Sequence, residues 1–326
     1  MPMTRDIALA AHRLREGGVV AFPTETVYGL GADACNPDAV RRVFAIKGRP
    51  ANHPLIVHIG DAERIKDWAR DIPPVAWRLA ESFWPGPLTL ILRRGQAPLG
   101  VTGGQDSVGL RMPDHPVALE LLRIFGGGIA APSANRFGRV SPTRAEHVLA
   151  EFGEDVDLIL EGGECRVGLE STILGLLGDK PTLLRPGAIA LTELEAVIDA
   201  PIAGAAPGFE TRAPGMLESH YAPDTRLVLC GPERLAALMG ELVDRGLRVA
   251  VMTRTHQVDG WPPGLHRHRM PPAPPDYGRQ LYASLRALDD GDFDVILVEQ
   301  PPADEAWRAV NDRLGRASHS HAVMQP

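Results

Sequence analysis

The sequence predicts an α/β protein built as a twisted, mixed-sheet domain followed by a small three-layer α/β domain, and three observations carry that reading. Up to about residue 198, apolar runs of strand length are interleaved with amphipathic helical stretches, without the regular alternation of a doubly wound parallel sheet. Across 199–214 Ala, Pro and Gly dominate and no hydrophobic period survives, which marks a linker stiffened by proline. Beyond it strand and helix patterns alternate in strict order, as a parallel sheet with crossover helices requires. At 326 residues the chain is long enough for each domain to bury its own core. The expected limits are 1–200 for the first domain, 201–224 for an ordered linker serving as a lid, and 225–326 for the C-terminal domain.

Along the chain, residues 5–16 read as an amphipathic helix stopped by Gly17-Gly18, and 19–22 as a buried strand halted by Pro23. Asn36-Pro37-Asp38 opens a helix, with Pro37 in its first turn, that runs to about Ile46. Residues 55–59 form a strand, followed by helical stretches near 61–70 and 74–83. Further strands are expected at 88–92, 107–112, 128–131, 157–160, 170–176 and 182–185, and helices at 115–125, 143–150 and 191–198. In the C-terminal part the order is strand 226–230, helix 232–245, strand 247–252, helix 277–289, strand 293–298 and helix 304–315. The stretch 255–275 reads as a Pro-rich insertion carrying His266, Arg267, His268 and Arg269. A solvated loop explains it better than a metal site without a third clear ligand, and His319 and His321 are read in the same way.

Composition narrows the function. Hydrophobic residues make up 44% and charged residues 23%, as in an ordinary globular protein. With a net charge of −7 nothing announces a broad nucleic-acid-binding face, so a polyanion site has to be a local pocket of positive charge. Cys35, Cys165 and Cys230 are too few and too scattered for a disulfide framework or a zinc signature. No apolar run reaches membrane-spanning length, and residues 1–16 lack a signal-peptide core; the expected location is the cytoplasm, with no membrane partner.

Two short runs carry the chemistry. Lys47-Gly48-Arg49 sets two cations at the end of a helix, and Ser133-Ala134-Asn135 follows a buried strand with two small hydrogen-bonding side chains. Cations with amide and hydroxyl groups on loops suit a polyanion such as a nucleoside triphosphate. Only Lys47, Lys66 and Lys180 are lysines among 34 basic residues, so a Lys here suggests a need for a compact charge, the alternative being a solvated helix end favoured by the helix dipole. Arg111 and Arg185 each close a strand, and with Lys47 and Arg49 they offer four cations, enough for most of the charge of a triphosphate plus a carboxylate. The loop Pro23-Thr24-Glu25-Thr26-Val27-Tyr28-Gly29 offers hydroxyls to a small polar substrate, or else caps the next element. His58 ends a strand, where either a structural or a site role is open; Ser141 opens a helix, and Ser171 interrupts an apolar stretch. Gly29-Leu30-Gly31-Ala32-Asp33-Ala34 fits the loose dinucleotide fingerprint, and Arg49 twenty residues on keeps an NADP enzyme as a runner-up. No P-loop and no Ser-His-Asp or Cys-His arrangement stands out, which gives covalent catalysis little support.

Taken together, segments 22–31, 47–50, 53–58, 84–89, 108–113, 130–135, 168–173 and 184–187, with the linker motif His220-Tyr221-Ala222-Pro223, resemble the YrdC-type threonylcarbamoyl-AMP synthase family in its longer two-domain form. The resemblance covers 1–225 by motif and the remainder by domain order and size. It implies a YrdC-like catalytic domain and a small Rossmann-like C-terminal domain. It also implies a nucleotidyltransferase reaction of L-threonine, bicarbonate or CO2 and ATP, with Mg2+ carried by ATP. The product, threonylcarbamoyl-AMP, would pass to a downstream transferase complex for threonylcarbamoyladenosine modification of tRNA.

By resemblance the catalytic tetrad is Lys47, Arg49, Ser133 and Asn135. Thr26, His58, Arg111, Ala131 and Ser171 would surround threonine. Arg49, His53, Ser107, Ser133, Ser141 and Arg185 would surround ATP, with Tyr221 closing from the linker. The linker departs from the family pattern at Leu217-Glu218-Ser219, where basic character is expected. Relatives of the catalytic domain also carry a basic concave face, so the alternative is a double-stranded RNA- or tRNA-binding protein without synthase activity.

Overall fold

The computed structural model describes residues 3–178, 180–204, 211–216, 220–255 and 265–319. The chain divides into two compact units, Met1–Phe137 with Ser141–Met216 and Gly138–Val140 with Leu217–Pro326. The expected linker is therefore shared between the units, and its departure at Leu217-Glu218-Ser219 lies outside the described residues.

The first unit is built on a mixed sheet. Its described strands run, edge to edge, Met3–Thr4, Leu158–Leu160, Val20–Phe22, Gly29–Asp33, Ile129–Ala130, Ile56–His58, Ser107–Arg111, Leu88–Arg93, Thr172–Gly175, Thr182–Arg185 and Ala203–Gly204. Parallel pairs such as Ile56–His58 with Ser107–Arg111 alternate with antiparallel ones such as Leu88–Arg93 with Ser107–Arg111. Val57, Leu88, Leu90 and Leu110 pack with Trp68, Leu79 and Leu194 from helices and loops into one apolar cluster. Val20, Phe22 and Ile129 pack with Leu14 and Leu121 of the helices Ile7–Arg15 and Pro116–Phe125 into another.

The Gly29-Leu30-Gly31 run is a strand, not the phosphate-binding turn of a dinucleotide fold. It pairs antiparallel with Val20–Phe22, with Val20 opposite Gly31 and Phe22 opposite Gly29. A Cβ on Gly31 would come within 2.7 Å of the Phe22 ring, so this glycine makes room for an aromatic side chain. The NADP reading loses its motif here.

Two helical and loop details set up the site. Helix Pro37–Lys47 starts where the Asn36 side chain accepts the amides of Asp38 and Ala39 at 3.0 and 3.2 Å, and Pro37 fills the first turn, which needs no donor. It stops because Gly48 adopts the left-handed conformation, φ 61°. Ala39, Val40, Val43, Phe44 and Lys47 are its buried residues, so the helical period carries Lys47 onto the apolar face. Gly128, which leads into the strand Ile129–Ala130, sits so close to Trp68 that a Cβ would meet the indole at 2.2 Å and Val57 at 2.7 Å.

The second unit contains an all-parallel sheet in the order Arg226–Cys230, Val295–Glu299, Val249–Thr253, His266–Arg269, with helices Pro232–Asp244, Pro274–Asp289 and Arg308–His319. Its core joins Val249, Val251, Val295 and Leu297 to Leu235, Met239 and Leu242. The strand His266–Arg269 corrects the expected loop. It is an edge strand made of four polar residues, three of them exposed, so neither apolar alternation nor an apolar run betrays it.

These contacts predict opposite outcomes for two glycines. Gly128→Ala should destabilise the protein by about 1–3 kcal/mol through overpacking against Trp68. Gly240→Ala, inside a helix and with nothing within 4 Å of its added methyl, should stabilise by up to about 1 kcal/mol. Guanidinium unfolding of both variants checks the pair.

Candidate active site

Lys47 is 2% exposed, and its ammonium donates to the carbonyls of Ser133, at 2.5 Å, and Asn135. The backbone closes the same junction: the Lys47 carbonyl accepts the Phe137 amide at 2.8 Å. The end of one helix is thus stitched to the loop after the strand Ile129–Ala130. Burial pushes the Lys47 amine well below its ordinary value and the nearby Arg49 adds to this, while Glu151 and Glu170 pull the other way. Arg49 donates to the Pro54 carbonyl at 3.0 Å and lies 5.6 Å from the centre of the Phe137 ring. His53 meets the same ring edge-on at 5.3 Å, and burial, then Arg49 and Arg212, hold its pKa below the usual value. Asn135 is buried, and its amide donates to the Arg136 carbonyl at 2.7 Å.

A second group forms where strands end. His58 and Arg111 stand opposite each other at the carboxyl ends of adjacent parallel strands, and Ile129 faces His58 from the other side. Ala131 follows directly, its amide donating to the Ile56 carbonyl at 3.0 Å. His58 is pushed down to about 3, first by burial and then by the Arg111 charge, so its ring is neutral at physiological pH. Arg111 lies 2.6 Å from Glu25 as a buried ion pair and donates to the Gly86 carbonyl at 3.3 Å. Glu25 belongs to the loop between the strands Val20–Phe22 and Gly29–Asp33, where the hydroxyls of Thr24 and Thr26 meet at 2.9 Å.

A third group surrounds the strand Thr172–Gly175. Ser171 shares a 2.7 Å hydrogen bond with Thr89, and Arg185 donates to the Ser171 carbonyl at 2.9 Å, to its hydroxyl at 3.1 Å and to the Pro214 carbonyl at 3.1 Å. The buried Ser141 hydroxyl donates to Glu170 at 2.6 Å. Ser107 begins the strand that ends in Arg111 and is buried.

All the predicted site residues except Tyr221 belong to the first unit. Tyr221 belongs to the second, where it stacks on Tyr282 at 5.8 Å and lies 5.2 Å from the Arg313 guanidinium. Glu25, Thr89, Phe137 and Glu170 join the groups without having been singled out from sequence. Glu25 lay inside a loop already notable for its polar density, whereas nothing in the sequence distinguishes Phe137. Among the described residues no cluster of three or more His, Cys, Asp or Glu is arranged to hold a metal ion, and no helix is long and apolar enough to cross a membrane.

Comparison with known proteins also finds two parts, with a boundary near residue 188, before the end of the first unit at Met216. Residues 12–187 match the Sua5/YciO/YrdC family, described as "Telomere recombination", and residues 189–319 match the "Threonylcarbamoyl-AMP synthase, C-terminal domain". A threonylcarbamoyl-AMP synthase of Pyrococcus abyssi is 41% identical over 324 residues, covering 96% of this chain and 94% of the relative. One of Bacillus subtilis is 42% identical over 338 residues, covering 97% and 94%. The crystal structure of P. abyssi Sua5 complexed with L-threonine superposes with a TM-score of 0.89 at 41% identity, over 96% of this chain and 94% of that one. The chain belongs to the Sua5/YciO/YrdC family, in the form that carries the threonylcarbamoyl-AMP synthase C-terminal domain.

Proposed function

We propose that this protein is a threonylcarbamoyl-AMP synthase that joins L-threonine, bicarbonate or CO2 and ATP, releases pyrophosphate, and supplies threonylcarbamoyladenosine modification of tRNA through a downstream transferase. The observation that carries the reading is the buried Lys47 ammonium, which donates to two carbonyls and has no carboxylate within ion-pair distance among the described residues. A cation so placed costs desolvation energy that a bound polyanion offsets. Arg49 and Arg185, also buried and oriented by carbonyls, add donors shaped for phosphate.

The chemistry asks for little beyond placement. The free amine of threonine attacks the carbon of CO2; a C–N bond forms, one C=O electron pair moves to oxygen, and the nitrogen sheds a proton to water, leaving a carbamate. A carbamate oxygen then attacks the α-phosphorus of ATP, the new O–P bond forming as the bond to the β-phosphate oxygen breaks and pyrophosphate leaves. Positioning and charge neutralisation suffice for both steps. In this reading Arg111 receives the threonine carboxylate, and the neutral His58 ring meets the hydroxyl together with Thr26, Ala131 and Ser171. Lys47, Arg49 and Arg185, with His53, Ser107, Ser133 and Ser141, hold the nucleotide, to which Mg2+ arrives already bound. Asn135 keeps the loop that supplies the Lys47 carbonyls in shape.

Three outcomes test the proposal. Pyrophosphate release from ATP should require threonine and bicarbonate together, and L-serine should replace threonine poorly; release indifferent to threonine contradicts it. Lys47→Met, which keeps much of the buried volume, should cut turnover at saturating ATP by about 100-fold or more, and unchanged turnover removes the lysine from the mechanism. Because His58 titrates at about 3, threonine affinity between pH 5 and 8 should show no limb from this ring. A limb near 6.5 that vanishes in His58→Gln contradicts that assignment.

A further inference from the structure

Glu25 is 1% exposed, yet neither of its carboxylate oxygens has an aligned hydrogen-bond donor; the Arg111 guanidinium approaches one of them to 2.6 Å without hydrogen-bond alignment. Buried carboxylates normally satisfy their lone pairs, so two unaligned oxygens mark a place where a donor belongs. The backbone around Glu25 is fixed: its carbonyl accepts the Val167 amide at 2.8 Å, and the flanking Thr24 and Thr26 hydroxyls hold each other at 2.9 Å. The other titratable groups around it are His115, held below its ordinary value mainly by burial, and Cys165, held above its own by burial.

We propose that Glu25 is the seat of the α-ammonium of L-threonine and accepts the proton that this group must lose to become a nucleophile, an inference that rests on the function proposed above. An α-amino acid carries an anion and a cation on the same carbon, and Arg111 with Glu25 presents the opposite pair at 2.6 Å. Entry of the zwitterion replaces one poorly aligned internal ion pair with two aligned ones, carboxylate on Arg111 and ammonium on Glu25, and leaves the buried site neutral. One N–H proton then passes to the carboxylate, leaving a neutral amine with its lone pair exposed and a neutral carboxyl group. Glu25 thereby selects an amino acid over a hydroxy acid, a discrimination that Arg111 alone does not make.

The test compares two ligands on two proteins by calorimetric titration. L-Threonine has both charges, and (R)-3-hydroxybutanoate keeps the carboxylate and hydroxyl but lacks the amine. Glu25→Gln should weaken threonine binding by about 10-fold or more, the worth of a charge-assisted hydrogen bond, without weakening (R)-3-hydroxybutanoate, whose carboxylate no longer competes with a buried carboxylate for Arg111. Equal weakening of both ligands overturns the proposal, because Glu25 then only holds Arg111 in place; an unchanged threonine affinity overturns it outright. Should Glu25→Gln fail to fold, Glu25→Asp carries the same comparison, with weaker threonine binding and an unchanged analogue as the expected result. A wild-type protein that binds ATP but no threonine removes the parent reading, and this inference with it.

Discussion

Lys47 is an amine buried against backbone carbonyls, and burial works against its charge. Its ammonium bridges the carbonyls of Ser133 and Asn135 while its own carbonyl takes the Phe137 amide, so one residue ties the helix Pro37–Lys47 to the loop beyond the strand Ile129–Ala130. Everything named on either side inherits its position from this tie. Arg49 follows Lys47 in the chain and meets Phe137, and Ser133 and Asn135 are the loop itself. The arrangement is electrostatically tense: burial and Arg49 both disfavour the charged amine, while the two carbonyls and the fields of Glu151 and Glu170 favour it. In the proposed function a bound triphosphate would relieve that tension.

The group proposed to receive threonine is organised differently. Here parallel strands end together, and the register of Ile56–His58 with Ser107–Arg111 sets a neutral imidazole beside a guanidinium. Burial, then the guanidinium, keeps the imidazole neutral, and Glu25 on the neighbouring loop sets a carboxylate against Arg111. A protein with a net charge of −7 thus concentrates most of its buried positive charge within one unit and sets the buried carboxylate of Glu25 against part of it.

How much of this was legible in the sequence depended on what was local. Helix Pro37–Lys47 carries its start and stop in Asn36, Pro37 and Gly48, and strands such as Leu88–Arg93 and Thr182–Arg185 announce themselves as apolar runs. The rarity of lysine singled out Lys47, but a solvated helix end stayed open until the fold put it on the same buried face as Val43 and Phe44. Three things escaped. The strand Gly29–Asp33 was hidden by glycines whose purpose is room for Phe22, the edge strand His266–Arg269 by its lack of apolar residues, and the Glu25–Arg111 pair by a separation in sequence that only the sheet brings together. Long-range pairing and close packing are properties of the folded chain, and no window of residues contains them.

In the proposed function Lys47 is held as a strained cation awaiting a polyanion. With Lys47, Lys66 and Lys180 the only lysines, labelling of the lysine ε positions gives three signals in a nuclear magnetic resonance pH titration, and loss of one in Lys47→Met assigns it. The Lys47 amine of the free protein should titrate well below the ordinary lysine value of 10.5, and saturating ATP should move it upward. A Lys47 signal that titrates at the ordinary value and ignores ATP would contradict it.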